Sequence, residues 1–371
     1  MTRLEIATDI ENISNVTAQR VLVDRSIQHA LERVFEYYDF PYYIQDKGVI
    51  ETIAIYETGT VSVTNGSKTV TGSGTTFTSA MAGRKIRIKN ENAYYRISAF
   101  VSTTEITLEN NYQGSTDSAL TYKIYKDEFR LNADVDKYKL LRQSNNGIIL
   151  FDTHPTNFDS AFPMPSSYSD PIKSIMIGTK LDTYTTGTIS ASGTTITGSS
   201  TSWTSVEGLG RMSKIRIGNY VYTVKSVDSD TQITTYEGLT TVSAGSSYEL
   251  TLNNLLVQLY SIPDTAKLLY YRYFRIPAIL ANDYDIPDMP HAWHWLLMYG
   301  GLSIVLMQKG DINKAQIEAE TRFLDGLNMM KLKIGSFSPD RIYKRKSIDR
   351  IQGSLDGLEK SAFDRRWSMP Y

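Results

Sequence analysis

The clearest pattern of apolar and polar positions in this chain is a period of two that occurs at two distant places. Residues 85–88 read Lys-Ile-Arg-Ile, and residues 214–217 read the same four amino acids again. Alternation of this kind is typical of a strand that buries one face and exposes the other. Both places therefore predict short strands with isoleucine on the buried face and basic residues on the outer face.

The two strands belong to a longer sequence that occurs twice, in residues 58–126 and 186–250. Both copies begin Thr-Gly-Thr and continue to a Thr-Gly-Ser segment that precedes an aromatic residue, and corresponding positions stay 126 to 129 residues apart. An offset this constant indicates a duplicated module. Short alternating segments separated by Gly, Asn, Ser and Thr predict a small β-barrel or sandwich for each copy. Phe77 and Trp203 occupy equivalent positions and are predicted to fill the two cores.

Outside the duplicated module, three segments have apolar positions at helical spacing rather than at every second residue. Residues 17–38 carry apolar side chains at helical spacing, and residues 291–307 and 312–332 predict two helices that form an antiparallel hairpin. Together these three helices predict a small bundle. Further segments that read as strands are 49–56, 127–130, 172–177, 255–260 and 266–273.

These elements predict an α+β fold with four parts. The host is a discontinuous domain of residues 1–57, 127–185 and 251–335, built as a helical bundle with a hairpin. The two small all-β domains, 58–126 and 186–250, are inserted into it, which is easiest where the ends of the insert lie close together. Residues 336–371 show no sustained periodicity and are predicted to be an extended C-terminal arm.

Composition narrows the function classes. The chain has 371 residues, 41% of them hydrophobic, so it is long enough for two or three domains with substantial cores. Lys plus Arg number 39 and Asp plus Glu number 40, and this balance favours neither a nucleic-acid binder nor a membrane-surface protein. The absence of cysteine excludes disulfides, cysteine zinc sites and thiol catalysis. Residues 293–307 are too short to cross a bilayer, so no membrane association is predicted.

No motif in the sequence indicates an enzyme or a cofactor. His291 and His294 lie three residues apart on a predicted helix, but the pattern of a metalloprotease is missing, so core or interface roles are favoured. Asp283, Asp285 and Asp288 do not have the spacing of a calcium loop, which favours turn and capping roles. The basic strand residues leave two readings open. They form a solvated face, or a face turned toward nucleic acid or an acidic neighbour.

The host segments, taken in their order, resemble the head-to-tail adaptor (connector or neck) proteins of tailed bacteriophages. The first predicted helix ends in Phe40-Pro41-Tyr42-Tyr43, and residues 127–141 resemble the segment that precedes the central β region of that family. A strand at 268–277 is followed by Met289-Pro290, where the helical hairpin opens. The duplicated β module also resembles inserts that are common in phage structural proteins.

This resemblance implies a structural protein of the virion that is assembled in the cytoplasm of the infected bacterium. Family members form a homo-oligomeric ring, usually a dodecamer, that joins the portal protein to tail or nozzle proteins. The ring lines the channel through which double-stranded DNA leaves, with transient, non-specific contact. A C-terminal arm docks on the portal. Carried onto this chain, the residues of the docking arm are Arg341, Lys344, Arg345, Lys346, Arg350, Arg365, Arg366, Trp367 and Tyr371.

The resemblance also implies that the helices provide the contacts between subunits. The predicted interface residues are Ile27, Leu31, Phe35, Trp293, Trp295 and Phe323. The alternative is a receptor- or carbohydrate-binding tail protein that uses the two β modules. In that case several aromatic side chains should be exposed on each module, and the candidates are Tyr94, Tyr95, Trp203, Tyr220 and Tyr222. In an adaptor, Phe77 and Trp203 should instead be buried.

Overall fold

The computed structural model describes residues 1–15, 19–89, 93–143, 147–149, 173–260, 262, 265–310 and 314–335. The chain divides into two units. One contains the chain up to Ile44 and from Pro277 onward, and the other contains Gln45–Ile276. No helix in the described part of the chain is long and apolar enough to cross a membrane.

The first unit is helical. Its helices are α1 (Arg3–Ser14), α2 (Arg20–Tyr37), α3 (Trp295–Gln308) and α4 (Lys314–Gly335), with short 3₁₀ turns at Pro41–Tyr43 and His291–Trp293. Helix α3 is apolar on nearly all sides and packs against the other three. A helix of that composition is expected to lie inside a fold rather than on its surface.

Two glycines in the middle of α3 set how closely its neighbours approach. A Cβ atom added at Gly300 would lie 2.8 Å from Cε2 of Phe323, and one added at Gly301 would lie 2.8 Å from Cδ1 of Ile10. Both distances are shorter than any ordinary carbon–carbon contact. The two glycines therefore let α1 and α4 pack directly on the backbone of α3.

An ion pair ties three of these helices together at the edge of the core. Nη2 of Arg33 on α2 lies 2.5 Å from Oε1 of Glu320 on α4, and the hydroxyl of Ser303 on α3 donates to Oε2 at 2.7 Å. The hydrogen bond from Arg33 is the largest cause that holds the pKa of Glu320 below its ordinary value. The side chain of Glu320 therefore stays charged and keeps its partners on both neighbouring helices.

The second unit is built from three sheets. The smallest has four strands in the order β1-β18-β10-β11. Its central pair, β10 and β18, is antiparallel and runs from Val135 opposite Arg275 to Gln143 opposite Leu269. The bounds of the strands in this sheet are β1 Ile44–Glu51, β10 Val135–Gln143, β11 Gly147–Ile149 and β18 Leu268–Arg275.

The first copy of the module forms one curled sheet. Its strands are β2 Thr60–Val63, β3 Thr69–Ser73, β4 Lys85–Ile88, β5 Tyr94–Ser102, β6 Glu105–Leu108, β7 Asp117–Leu120 and β8 Tyr122–Tyr125. Their order is β7-β2-β3-β6-β5-β4-β8. Because the two edge strands, β7 and β8, are joined by the single residue Thr121, the sheet must curl until its edges meet. Phe77 is 1% exposed inside this curl.

The second copy shares its sheet with strands of the host. The strands are β9 Glu128–Arg130, β12 Lys173–Tyr184, β13 Thr188–Ser199, β14 Lys214–Ile217, β15 Tyr220–Ser229, β16 Gln232–Ser246 and β17 Glu249–Tyr260. Their order is β12-β17-β14-β15-β16-β13, and β9 pairs with β17. The long strand β17 therefore belongs both to the module and to the host. Trp203 is fully buried in the core of this copy.

The two copies repeat the same hydrogen bonds at the point where each module joins the chain. The hydroxyl of Tyr122 donates to the carbonyl of Thr58 at 2.5 Å, and that of Tyr248 donates to the carbonyl of Thr186 at 2.7 Å. In each copy this bond links the segment by which the chain enters the module to the segment by which it leaves. In the second copy the same tyrosine oxygen also accepts from Nε1 of Trp203 at 3.0 Å.

The predicted fold class, a helical bundle host with β inserts, is wrong. The structure is mostly β, with 41% strand against 27% helix. The described residues contain eighteen strands and four α-helices. The predicted host segments 127–130, 255–260 and 266–273 do form strands, as does Val135–Gln143, but they pair with one another into sheets. Of the predicted strand 49–56, only the part up to Glu51 lies in a strand. The host is therefore no helical bundle, and its strands and helices lie in different units.

Two local expectations also differ from the structure. Helix α1 has no counterpart among the predicted elements, although its first turn is a capping box in which Thr2 and Glu5 bond to each other's backbone N–H. Lys85 was expected on the outer face of its strand, but it is 4% exposed. The carboxylates of Asp127 and Glu128 cover it, each 2.8 Å from its Nζ.

Candidate assembly surfaces of the helical unit

The loop between the last strand and α3 is held in one conformation by its own aspartates. Oδ2 of Asp285 accepts hydrogen bonds from the backbone N–H groups of Ala281 at 2.8 Å and Asn282 at 2.7 Å. This is the turn role expected for the aspartates of this loop. Among the residues that the structure describes, no group of three or more metal-ligating side chains lies here or elsewhere.

The start of α1 fixes the same loop from the other side. The backbone N–H of Arg3 donates to the carbonyl of Asp285, and that of Leu4 donates to the carbonyl of Asp283, both at 2.9 Å. The guanidinium groups of Arg3 and Arg20 reach Oδ1 of Asp283 at 2.8 and 3.2 Å. The hydrogen bond from Arg3 is the main cause that lowers the pKa of Asp283. Helices α1 and α2 therefore hold this segment, residues 281–290, which we call the docking loop.

The docking loop presents two large apolar side chains to solvent. Tyr284 is 81% exposed and Ile286 is 65% exposed, although Asp283 and Asp285, on either side of Tyr284, are bonded to α1 and α2. Exposed apolar side chains on a fixed backbone lose little conformational freedom when a partner covers them. Tyrosine is also among the residues that contribute most to binding at protein interfaces. The loop therefore has the properties of a preformed contact site.

Helix α4 carries a second exposed apolar surface. Its inner face buries Ala319, Phe323, Leu327 and Met330 at helical spacing, whereas Ala315, which has the same spacing, is exposed. Ile317, Leu324 and Leu332 are 59%, 42% and 73% exposed. With 3.6 residues per turn, these three positions fall within about 80° of one another around the helix. They form a stripe, which we call the α4 stripe, on a side of the helix that the described chain leaves uncovered.

The six interface residues expected from the sequence fall into two groups. Ile27, Leu31 and Phe323 are completely buried in the core of the helical unit, so they have no area to offer to a neighbouring subunit. Phe35, Trp293 and Trp295 are half-buried.

Near the start of α3, aromatic side chains pack against one another and against cations of α4. The rings of Trp293 and Trp295 lie 6.2 Å apart, and the rings of Trp295 and Tyr299 lie 5.8 Å apart, edge to face. Arg322 donates to the hydroxyl of Tyr299 at 2.8 Å, and Nζ of Lys333 lies 5.7 Å above the ring of Trp293. These contacts join α3 to α4, which gives the half-buried tryptophans a structural role within one chain.

The two histidines at the start of α3 lie in different environments. His294 is 1% exposed, and its Nε2 lies 2.9 Å from the carbonyl oxygen of Met289. Burial is the main cause that lowers the pKa of His294, so the ring is neutral and Nε2–H donates to that carbonyl. His291 is exposed, although the two rings are 5.0 Å apart. His294 is therefore a core histidine, as the sequence favoured.

The aromatic residues proposed for sugar binding do not form a common surface. Trp203 and Tyr222 are buried, Tyr95 is half-buried, and Tyr94 and Tyr220 are 51% and 63% exposed. The two exposed tyrosines lie on different copies of the module. Stacking on a sugar chain requires several exposed rings on one face, so this arrangement does not favour the carbohydrate-binding alternative. Phe77 and Trp203 are buried, which confirms that they fill the cores of the two modules.

The predicted docking arm lies outside the described residues. It comprises Arg341, Lys344, Arg345, Lys346, Arg350, Arg365, Arg366, Trp367 and Tyr371.

Sequence reasoning missed the residues that the structure brings to the surface of the helical unit. Tyr284 and Ile286 stand between aspartates in a segment for which the sequence predicts a turn. The available signal was the presence of large apolar side chains inside an otherwise polar loop, since such loops rarely bury them. For the α4 stripe, the signal was a second set of apolar positions, Ile317, Leu324 and Leu332, beside the core face.

Comparison with known proteins adds no relative. No protein-family model matches the chain, and no curated protein matches its sequence significantly.

Proposed function

We propose that the protein is a structural subunit of a closed ring that joins the portal of a tailed bacteriophage to its tail. The observation that carries this proposal is the docking loop, which holds Tyr284 and Ile286 in solvent on a backbone fixed by α1, Arg3 and Arg20. A protein that works as an isolated monomer has no physical reason to hold such side chains exposed and rigid.

A ring needs two different surfaces on each subunit, because its contacts run head to tail. The helical unit has two such surfaces on different elements, the docking loop beside α1 and the α4 stripe. We therefore assign the occupant of the docking loop to a second copy of this chain, which contributes its α4 stripe. Repeating this contact around an axis closes a ring without requiring any further protein.

The order of the host segments along the chain supports a position at the junction of head and tail. In this proposal the portal protein and the tail or nozzle proteins are the neighbours of the ring, and double-stranded DNA passes through it during ejection. The docking arm after α4 contacts the portal. The protein then functions in the virion as an assembly component and carries out no reaction.

Single cysteines test the proposed contact, because the natural chain contains none. We expect Asn282→Cys, placed on the docking loop next to Tyr284, to react slowly with a maleimide in the assembled fraction and quickly in the monomeric fraction. The matched control is Tyr220→Cys on the second module, where the natural side chain is 63% exposed. It should react at one rate in both fractions. Equal rates for Asn282→Cys in both fractions would show that the loop does not lie between subunits.

A further inference from the structure

A polar cleft lies between the first module and the strands of the host, within the second unit. Its volume is about 250 Å³. One wall is the segment of the first module that leads into β4, and the other walls come from β9, β12 and the turn before β14. The residues that carry charge into the cleft are the cations Arg84, Lys85, Arg96, Lys126, Arg130 and Lys180 and the carboxylates Asp127, Glu128, Asp182 and Glu207.

Four of the six cations are matched by the four carboxylates at short distances. Lys85 lies 2.8 Å from Asp127, and Arg96 lies 3.0 Å from Glu128. The remaining two close pairs are Lys126 with Glu207 at 2.5 Å and Arg130 with Asp182 at 2.9 Å. This pairing leaves Arg84 and Lys180 as the surplus cations of the cleft.

The surplus cations have few partners of their own. The guanidinium of Arg84 donates through Nε to the carbonyl of Ala80 at 3.0 Å, and no carboxylate of the described residues forms an ion pair with it. Burial alone lowers the pKa of Arg84, with no acidic neighbour to offset it. Lys180 reaches Asp182 only at 4.0 Å, while that carboxylate is already bonded to Arg130. For Arg84, which is partly buried, the lack of a counter-ion is costly.

Comparison of the two copies shows that two of the cations, Arg84 and Arg96, are absent from the second module. The hydrogen bond from Ile97 N–H to the carbonyl of Arg84 corresponds to the bond from Val224 N–H to the carbonyl of Ser213, so serine stands where the first copy has Arg84. Arg96 pairs with Lys85 across β4 and β5, and Thr223 occupies that place opposite Lys214. Arg84 and Arg96 are therefore particular to the first copy, and the pattern that the two modules share does not require them.

We propose that this cleft binds one phosphate group that carries two negative charges, with the planar guanidinium of Arg84 and the ammonium of Lys180 as its counter-ions. Phosphate groups have a charge of about −1.5 to −2 at neutral pH, which matches two surplus cations. Arginine suits such a ligand because its parallel N–H groups bond two oxygens at once. Binding would connect the first module to strand β12 of the host and hold the two together.

The phosphate has two possible sources, inorganic phosphate or the terminal phosphate of a nucleotide. Isothermal titration of the full chain with inorganic phosphate and with a nucleoside monophosphate, against sodium chloride of equal ionic strength, separates them. We expect at least one of the two to bind with Kd of about 1 mM or below. Binding of inorganic phosphate identifies the free ion as sufficient, and binding of the monophosphate alone identifies the nucleotide as the source.

Substitutions decide whether the cleft is the site. Arg84→Gln and Lys180→Gln should each weaken binding about tenfold, which corresponds to the loss of one charge-assisted hydrogen bond. Arg216→Gln is the matched control, because Arg216 is an exposed arginine on the equivalent strand of the second copy, paired with Glu249 at 2.7 Å. It should leave the affinity unchanged. Lys180 is exposed, so Lys180→Gln remains informative even where Arg84→Gln disturbs folding. The proposal is overturned if neither ligand binds, or if Lys180→Gln binds as tightly as the natural chain.

Discussion

Replacing Tyr284 and Ile286 together by serine is expected to weaken self-association by two to three orders of magnitude while leaving the subunit folded. Both side chains are largely exposed within one chain, so they contribute little to the core. At an interface, a central tyrosine typically contributes 2 kcal/mol or more, and 1.4 kcal/mol changes an affinity about tenfold. Sedimentation velocity across a concentration series measures the effect.

The second module provides the matched control for this double substitution. Tyr220 and Val221 are a tyrosine and an aliphatic residue that are 63% and 60% exposed, close to the values of the docking loop. Replacing both by serine removes a similar exposed side-chain area from the second module, outside the helical unit. Association should then stay at the level of the natural chain. If both double variants associate as strongly as the natural chain, the docking loop is not the contact between subunits.

Asp127→Ala is expected to lower the free energy of unfolding by about 3 kcal/mol, toward the lower end of the range for a broken buried ion pair. The side chains of Lys85 and Asp127 are 5% and 2% exposed, so the lysine would remain buried with one partner fewer. Glu128, 2.8 Å from the same Nζ, limits the loss. Nε2 of Gln258, 3.3 Å from Oδ2 of Asp127, would also lose its acceptor. Urea unfolding followed by circular dichroism measures the change.

Two further variants separate the ion pair from other effects. Glu249→Ala breaks the pair with Arg216, which is exposed, and should cost at most about 1 kcal/mol. The double variant Lys85→Met with Asp127→Leu removes both charges, and we expect it to be more stable than Asp127→Ala alone, because no buried charge is left unpaired. A loss for Asp127→Ala as small as that for Glu249→Ala would mean that the buried pair does not hold the first module.

Local features of the sequence predicted local features of the structure. Phe77 and Trp203 lie in the cores of their copies, and Ala319, Phe323, Leu327 and Met330 form the inner face of α4. These positions are specified by short-range periodicity, which depends on neighbours a few residues away. The strands of the host could be recognised one by one for the same reason.

The predicted fold class was wrong because the sequence did not show which strands pair with each other. Strand β10 finds its partner in β18, more than a hundred residues further along the chain, and β12 pairs with β17 across the whole second copy. Nothing in the apolar pattern of a single strand identifies a partner at that distance. The sequence therefore predicted host strands without their partners, and the sheets that these strands form were missed.

The candidate surfaces were missed for a different physical reason. Periodicity identifies residues that are buried in their own chain, and the exposed apolar residues Tyr284, Ile286 and Leu332 stand outside that pattern. Lys85 shows the opposite error, since its place in the alternation indicated an outer face. The outer face of β4 is covered by Asp127 and Glu128, which follow the module in the chain. Tertiary contacts thus decide the burial of Lys85, which the alternation alone assigns to the surface.

The most direct test of assembly is the mass of the purified natural chain in solution, measured by light scattering behind a sizing column. A subunit has a mass of 41.8 kDa. We expect a single species whose mass corresponds to a ring of three or more subunits, either alone or after a portal protein is added. A species of 41.8 kDa that persists at micromolar concentration in both conditions would contradict the proposed ring.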